Sequence, residues 1–152
     1  MKHKILFICT GNYYRSRYAE HYFNSLATKQ NLDWEAFSRG LATDLGDGNI
    51  GPIAPRVIIR LKEHEILLED KIRFPIQLTQ GDLQKADLII ALYEPEHRKL
   101  MQQRFPAWED RITYWQVPDL DQLGSEVAFP RIEQYVTEQL QHLGNPDQKP
   151  VI

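Results

Sequence analysis

Short apolar runs alternate along the chain with longer segments whose apolar positions repeat at helical spacing. The runs have the length and composition typical of strands and lie at about 4–8, 34–38, 87–92 and 111–115. The helical segments lie at 15–30, 54–64, 94–104 and 126–142. This alternation predicts βαβ units, and therefore an α/β fold with a four-stranded parallel sheet that carries helices on both faces.

The third run supports a parallel sheet, since Leu88–Leu92 is almost continuously apolar, as expected of a strand buried on both faces. A chain of 152 residues suits a single domain with a sizeable core. We place that domain at residues 1–143. The remaining 144–152 contains Gly144, Pro146 and Pro150 and is predicted to be a flexible C-terminal tail.

The first strand-like run ends at Cys9, the only cysteine of the chain, and Arg15 and Ser16 follow where the first helix begins. Backbone N–H groups at the start of a helix bind anions, and a guanidinium can hold two oxygens of a phosphate. The same surroundings stabilise a thiolate. The pattern therefore predicts a loop that holds a phosphate-like dianion beside a thiolate nucleophile.

A buried structural cysteine at a strand end is the alternative interpretation of Cys9, because free cysteine is among the most buried residue types. A strand-to-helix turn, however, is expected to expose its residues, which favours a reactive cysteine.

The composition of the chain excludes several classes of function. A formal net charge of −3 argues against a nucleic-acid partner, and a single cysteine excludes an intramolecular disulfide and suits a reducing compartment. The apolar run 5–8 is too short for a signal sequence or a membrane span, so we expect a cytoplasmic protein without a membrane partner. The scattered histidines predict no metal site and suggest no cofactor.

The segment Cys9–Ser16, which reads C-T-G-N-Y-Y-R-S, resembles the active-site loop of the low-molecular-weight protein tyrosine phosphatases. Ala19-Glu20 and the later segments 55–64 and 77–90 resemble the same family in the same order, and the resemblance spans residues 3 to about 142. It implies a phosphatase-type P-loop after the first strand and a metal-independent phosphomonoester hydrolase that forms a cysteinyl-phosphate intermediate.

The resemblance also implies the catalytic residues: Cys9 as the nucleophile, Arg15 as the phosphate clamp and Asp119 as the general acid and base. Ser16 would donate to the sulfur, and Asn12 would hold the loop in shape. The phosphate-binding residues would be Thr10, Gly11, Asn12, Tyr13, Tyr14, Arg15 and Ser16.

Topology independently supports a role for Asp119. Ligands of open parallel sheets bind at the carboxyl ends of the strands, and both Cys9 and Asp119 follow strands. The alternative interpretation is that Pro118-Asp119 belongs to an ordinary turn, in which proline and aspartate are common. Asp121, two residues later, is an equally acidic candidate for the general acid.

The chain departs from the family pattern at several positions. Tyr13 and Tyr14 replace an aliphatic residue and a frequent second cysteine, and we expect at least one of the two rings to line the pocket. Arg17 stands where proline is typical and Arg39 where a small residue is typical. We expect both to be surface arginines, either solvated or adding positive charge at the mouth of the site.

Two further departures concern the surroundings of the loop. Arg73 replaces a histidine, so we expect the contacts around the loop to differ from those of the family. Glu65 stands where glycine would normally end the second helix.

Three other functions remain open at this point: a non-catalytic or weakly active phosphate-binding regulatory module, an arsenate reductase that uses an external thiol, and a phosphocarrier. As a phosphatase, the protein would act on a phosphorylated protein or a small phosphate ester and would hold inorganic phosphate or sulfate in its loop. We expect a monomer or a weak dimer.

Overall fold

A computed structural model of the chain describes residues 2–45, 48–119 and 124–144. Four strands lie within these residues: β1 His3–Cys9, β2 Trp34–Gly40, β3 Leu88–Ala91 and β4 Thr113–Tyr114. They pair in parallel in the order β2-β1-β3-β4. The predicted four-stranded parallel sheet is confirmed, although β4 is shorter than the apolar run at 111–115.

The described residues contain five α-helices: α1 Arg15–Lys29, α2 Pro55–Glu63, α3 Gln80–Lys85, α4 Glu94–Arg104 and α5 Ser125–Gly144. All but α3 were predicted from apolar periodicity. Helix α3 is a single short segment that buries little more than Leu83. Its sequence signal is a capping box, in which Thr79 and Asp82 each bind the other's backbone N–H.

The side chains of β1 alternate between two hydrophobic cores, one on each face of the sheet. Ile5, Phe7 and Cys9 lie in the core that also contains residues of α1, α2 and α5. Leu6 and Ile8 lie in the core that contains residues of α3 and α4. Helices therefore cover both faces, as predicted, and Cys9 ends β1 on the face covered by α1.

The predicted tail 144–152 lies outside the described residues apart from Gly144, which ends α5. None of the helices in the described part of the chain has the length and apolar character needed to cross a bilayer.

Helices α1 and α2 end in the same way, each with a residue in the left-handed region. After α2, Glu65 has φ of 60°, its N–H donates to the carbonyl of Lys62, and the N–H of Ile66 donates to that of Leu61. These two bonds form a Schellman motif, in which glycine is the usual residue at the left-handed position. A side chain there is strained by contact between its Cβ and the backbone.

Replacing Glu65 by glycine is expected to raise the free energy of unfolding by about 1 kcal/mol, because relief of the left-handed strain exceeds the entropy that glycine adds to the unfolded chain. Urea unfolding measures the change. Glu63→Gly, two residues earlier and inside α2, is the matched control and should destabilise the protein. A loss of stability in both variants would contradict the assignment of strain to Glu65.

Candidate active site

The loop that follows Cys9 lies at the carboxyl edge of the sheet and leads directly into α1. Asn12 has φ of 52°, which reverses the chain within the loop. Gly40, at the end of β2, contacts the loop closely. A Cβ on Gly40 would lie 2.8 Å from the carbonyl oxygen of Thr10 and 3.1 Å from Cβ of Asn12, so glycine is required for this approach.

The carbonyl groups of the loop bind neighbouring segments. The carbonyls of Cys9, Thr10 and Tyr13 accept from the backbone N–H groups of Leu41, Ala42 and Ala54, respectively. The N–H groups of residues 11–15, in contrast, donate to no acceptor in the part of the chain that the structure describes. Since a trans peptide directs its C=O and N–H to opposite sides, outward carbonyls leave a set of inward amides that suits an anion.

Asn12 is fully buried and uses every hydrogen-bonding group of its side chain. Its Oδ1 accepts from Arg73 Nη1 at 3.0 Å and from the N–H of Ile76 at 3.1 Å. Its Nδ2 donates to the hydroxyls of Ser16 at 2.8 Å and Ser38 at 3.0 Å. Because Arg73 and the Ile76 amide can only donate, the orientation of the Asn12 amide is determined.

This orientation also leaves the proton of Ser16 available to another acceptor. Ser16 Oγ already accepts from Asn12, so its own proton is available to Cys9 Sγ, which lies 2.9 Å away. A hydroxyl that donates to sulfur stabilises the thiolate. The sequence resemblance implied this contact, and the structure supplies the atoms that orient it.

The reasoning that a strand-to-helix turn exposes its residues is wrong for this loop. Cys9 is 3% exposed, and Asn12, Tyr14, Arg15 and Ser16 are also buried. The loop is buried because the segments 40–42, 50–54 and 73–76 pack against it and bind its polar groups.

Arg15 is held by partners on three sides. Nη1 donates to the carbonyl of Val117 at 3.0 Å, Nη2 donates to Glu96 Oε2 at 2.9 Å, and Nε lies 3.9 Å from Asp119 Oδ1. Burial alone would lower the pKa of Arg15, but the charges of Cys9, Glu96 and Asp119 outweigh it and raise that pKa above its usual value. Arg15 is therefore a permanent cation beside the sulfur.

The structure thus brings together all three of the predicted catalytic residues. Asp119 follows β4, and its half-exposed side chain lies at the Arg15 guanidinium. The rival Asp121 lies outside the described residues.

Glu96, which the sequence did not single out, shares this site. Its Oε2 accepts from Arg15, from the hydroxyl of Thr10 and from His97 Nε2 at 3.2 Å. Burial alone would raise the pKa of Glu96, but the bond from His97 and the nearby Arg15 outweigh it and hold that pKa far below its usual value. Glu96 is therefore a carboxylate that fixes one end of the Arg15 guanidinium.

His97 is fully buried and completes this cluster. Its Nδ1 accepts the N–H of Tyr93 at 2.9 Å, which leaves the Nε2 proton for Thr10 Oγ1 and Glu96. Burial lowers the pKa of His97, which favours this neutral form. Glu96 and His97 lie in the first turn of α4, and the position of that turn at the same sheet edge as Cys9 was the signal that could have revealed them.

The two tyrosines of the loop have different surroundings. Tyr14 is 5% exposed and packs against Phe129 with ring centroids 5.1 Å apart. Burial raises the pKa of Tyr14 well above its usual value, and its hydroxyl has no hydrogen-bond partner among the described residues. Tyr13 is partly exposed and donates to the carbonyl of Ile50 at 2.7 Å. Tyr14 is thus part of the core, whereas Tyr13 remains the candidate to line the pocket.

The expectation of a surface position is wrong for Arg17, whereas Arg39 is partly exposed. Arg17 is 1% exposed, and its guanidinium binds backbone carbonyls below the loop. Arg39 binds Asp82 Oδ2 at 3.2 Å and covers the ring of Phe37. Arg73 contacts the loop directly, since it donates to Asn12 Oδ1; that these contacts differ from those of the family stays a prediction.

Within the described ranges, no group of three or more His, Cys, Asp or Glu side chains is placed to hold a metal ion. The polar groups that converge on the site are a thiol, backbone amides, one guanidinium and carboxylates. This set of groups defines a site for cysteine-dependent phosphoryl transfer.

Comparisons with known proteins agree with this class. The family model for low molecular weight phosphotyrosine protein phosphatases matches residues 4–147. The chain therefore belongs to the low molecular weight protein tyrosine phosphatase family, whose members are cysteine-based phosphatases and metal-independent hydrolases.

Two curated relatives are phosphatases. The protein-arginine-phosphatase of Bacillus subtilis (strain 168) is 30% identical over 108 residues, which cover 71% of this chain and 67% of that protein. The low molecular weight phosphotyrosine protein phosphatase of Sus scrofa is 34% identical over 99 residues, which cover 63% of this chain and 58% of that protein. The matched region is therefore about two thirds or less of the length of these relatives.

Solved structures share the fold. The low molecular weight protein tyrosine phosphatase from T. tengcongensis aligns with a TM-score of 0.76 at 26% identity, covering 92% of this chain and 99% of that one. YfkJ from Bacillus subtilis aligns with a TM-score of 0.80 at 24% identity, covering 97% and 98% of the two chains. These comparisons favour a phosphatase over an arsenate reductase, a phosphocarrier or a module without activity.

The contact between Glu96 and Arg15 can be tested through activity. Glu96→Gln removes the charge that holds the guanidinium, and we expect kcat/KM for an aryl phosphate to fall about 10- to 100-fold, the usual value of a hydrogen bond to a charged group. Glu94→Gln is the matched control, since Glu94 lies in the same helical turn but binds Arg98. Equal kcat/KM values for the two variants would show that Glu96 does not position Arg15.

Proposed function

We propose that the chain hydrolyses phosphomonoesters through a cysteinyl-phosphate intermediate, with Cys9 as the nucleophile. The observation that carries the proposal is the contact of Cys9 Sγ with the Ser16 hydroxyl, which accepts from Asn12. The carbonyls of the surrounding loop bind neighbouring segments, so its amides face inwards. Arg15 ends this loop and supplies its positive charge. The start of α1 adds the favourable end of a helix dipole.

In the first step, the sulfur attacks phosphorus in line with the leaving oxygen. A P–S bond forms, the P–O bond to the leaving group breaks, and Asp119 gives its proton to the leaving oxygen. The amides of residues 11–15 and the Arg15 guanidinium bind the three remaining phosphoryl oxygens, on which charge shifts during the transfer.

In the second step, water attacks the phosphorus of the intermediate. Asp119, now a carboxylate, takes a proton from that water as the P–S bond breaks, so the thiolate and the acid are both regenerated. Ser16 stabilises the sulfur when it leaves, as it does in the resting protein. Thr10, Gly11, Asn12, Tyr13 and Tyr14 complete the loop that holds inorganic phosphate after hydrolysis.

We propose that the substrate is a phosphorylated protein side chain or a small phosphate ester. The activities named for the two curated relatives, on phosphoarginine and on phosphotyrosine in proteins, support this class. We further propose a cytoplasmic location, because a reduced thiol nucleophile suits a reducing compartment. A monomer or weak dimer is part of the same proposal.

The nucleophile is tested with p-nitrophenyl phosphate in the presence of EDTA. The wild-type protein is expected to release phosphate at a steady rate, and Cys9→Ser is expected to have no measurable turnover, because a serine hydroxyl is a far weaker nucleophile than a thiolate. Circular dichroism checks that the variant is folded. Undiminished turnover by Cys9→Ser would refute the mechanism. Peptides that carry phosphotyrosine, phosphoarginine or phosphoserine then rank the substrates by kcat/KM.

The general acid is tested by its dependence on the leaving group. Asp119→Asn is expected to lower kcat/KM, which reports the transfer to Cys9, by about 10²–10⁴-fold on phenyl phosphate, and by less on p-nitrophenyl phosphate, whose leaving oxygen needs less protonation. Asp110→Asn, at a mostly exposed aspartate paired with Arg98, is the matched control. An equal loss on both substrates would remove Asp119 from the role of acid, and Asp121→Asn would then be compared in the same way.

A further inference from the structure

Arg17 is the largest fully buried side chain in the described part of the protein. It lies in the first turn of α1, and its guanidinium binds three carbonyls from different segments. Nη1 donates to Pro52 at 2.9 Å and to Asn12 at 3.3 Å, and Nη2 donates to Arg73 at 2.8 Å. One side chain therefore connects the phosphate loop, the segment before α2 and the segment before α3.

The hydrogen bond from Arg17 to the carbonyl of Asn12 affects the direction of the Tyr13 N–H. The other outward carbonyls that were described, those of Cys9, Thr10 and Tyr13, are held by backbone N–H groups. The carbonyl of Asn12 is held by the Arg17 side chain instead. Because the peptide is trans, a carbonyl drawn towards Arg17 directs the N–H of Tyr13 to the opposite side, where the phosphate binds.

Arg17 also brings a charge. It forms no ion pair with a carboxylate among residues 2–45, 48–119 and 124–144. Burial and, after it, the charge of Arg73 lower the pKa of Arg17 to about 10, so the side chain is still a cation at neutral pH. Buried charges are costly unless an opposite charge compensates them. The charges that face Arg17 are those of Glu20, Arg73 and Cys9.

We propose that Arg17 is a positioning residue for phosphate binding and transfer. It turns the peptide between Asn12 and Tyr13 so that its N–H faces the phosphate, and it adds a buried positive charge below the loop. The inference rests on the proposed function, since it assigns a role in that same site.

The test compares Arg17→Met, which removes the guanidinium, with Arg17→Lys, which keeps a charge but cannot bind three carbonyls at once. The dissociation constant for inorganic phosphate is measured by calorimetry. We expect it to rise about 10- to 100-fold in Arg17→Met and by a smaller factor in Arg17→Lys, because small displacements of binding groups have large effects. Arg111→Met, at an exposed arginine over Trp108, is the matched control and should bind phosphate like the wild type.

A second measurement distinguishes positioning from a purely structural role. The rate at which iodoacetamide alkylates Cys9 is measured at pH 7 and should fall about 10-fold in Arg17→Met, since alkylation proceeds through the thiolate and a nearby cation is lost. If Arg17→Met does not fold, Arg17→Lys alone decides the question: a dissociation constant equal to that of the wild type overturns the proposal. A folded Arg17→Met with unchanged phosphate binding and an unchanged alkylation rate also overturns it.

The outcome is separable from that of the proposed function. If the wild type binds phosphate but releases none from p-nitrophenyl phosphate, the hydrolase mechanism fails. A weaker phosphate complex in Arg17→Met would still support the role of Arg17 in that case.

Discussion

The left-handed backbone of Asn12, held by four hydrogen bonds to its side chain, is the constraint on which the site depends. It turns the loop so that its carbonyls reach neighbouring segments and its amides face inwards. The same side chain orients the Ser16 hydroxyl towards the sulfur. The side chain of Asn12 therefore contributes both to the shape of the anion site and to the contact that stabilises the thiolate.

Charge in the site is balanced between a few closely placed groups. Glu96 and Asp119 hold the Arg15 guanidinium in place, but they also bring negative charge towards the site of a dianion. The inward amides and the start of α1 supply positive potential, and the proposed role of Arg17 adds to it. The negative charge of the carboxylates that orient Arg15 is thus offset by positive groups and dipoles that do not contact those carboxylates.

Much of the fold could be predicted because its signals are local. Apolar runs and helical periodicity gave the four strands and helices α1, α2, α4 and α5. Helix α3 was missed because a segment of six residues has too few apolar positions to show a period, although its capping box was readable. The chemistry of Cys9 and Arg15 was also readable, since both belong to one short segment between a strand and a helix.

The sequence by itself determined the order of the elements, the parallel sheet and the loop that contains the nucleophile, because each follows from residues close together in the chain. Tertiary structure alone decided that Glu96 and His97 join that loop, that Tyr14 is part of the core, that Arg17 is buried and that Arg39 pairs with Asp82. These outcomes depend on which distant segments pack against one another. Burial of an arginine, in particular, is decided by the carbonyls or carboxylates that other segments bring to it, as Asn12, Pro52 and Arg73 do for Arg17.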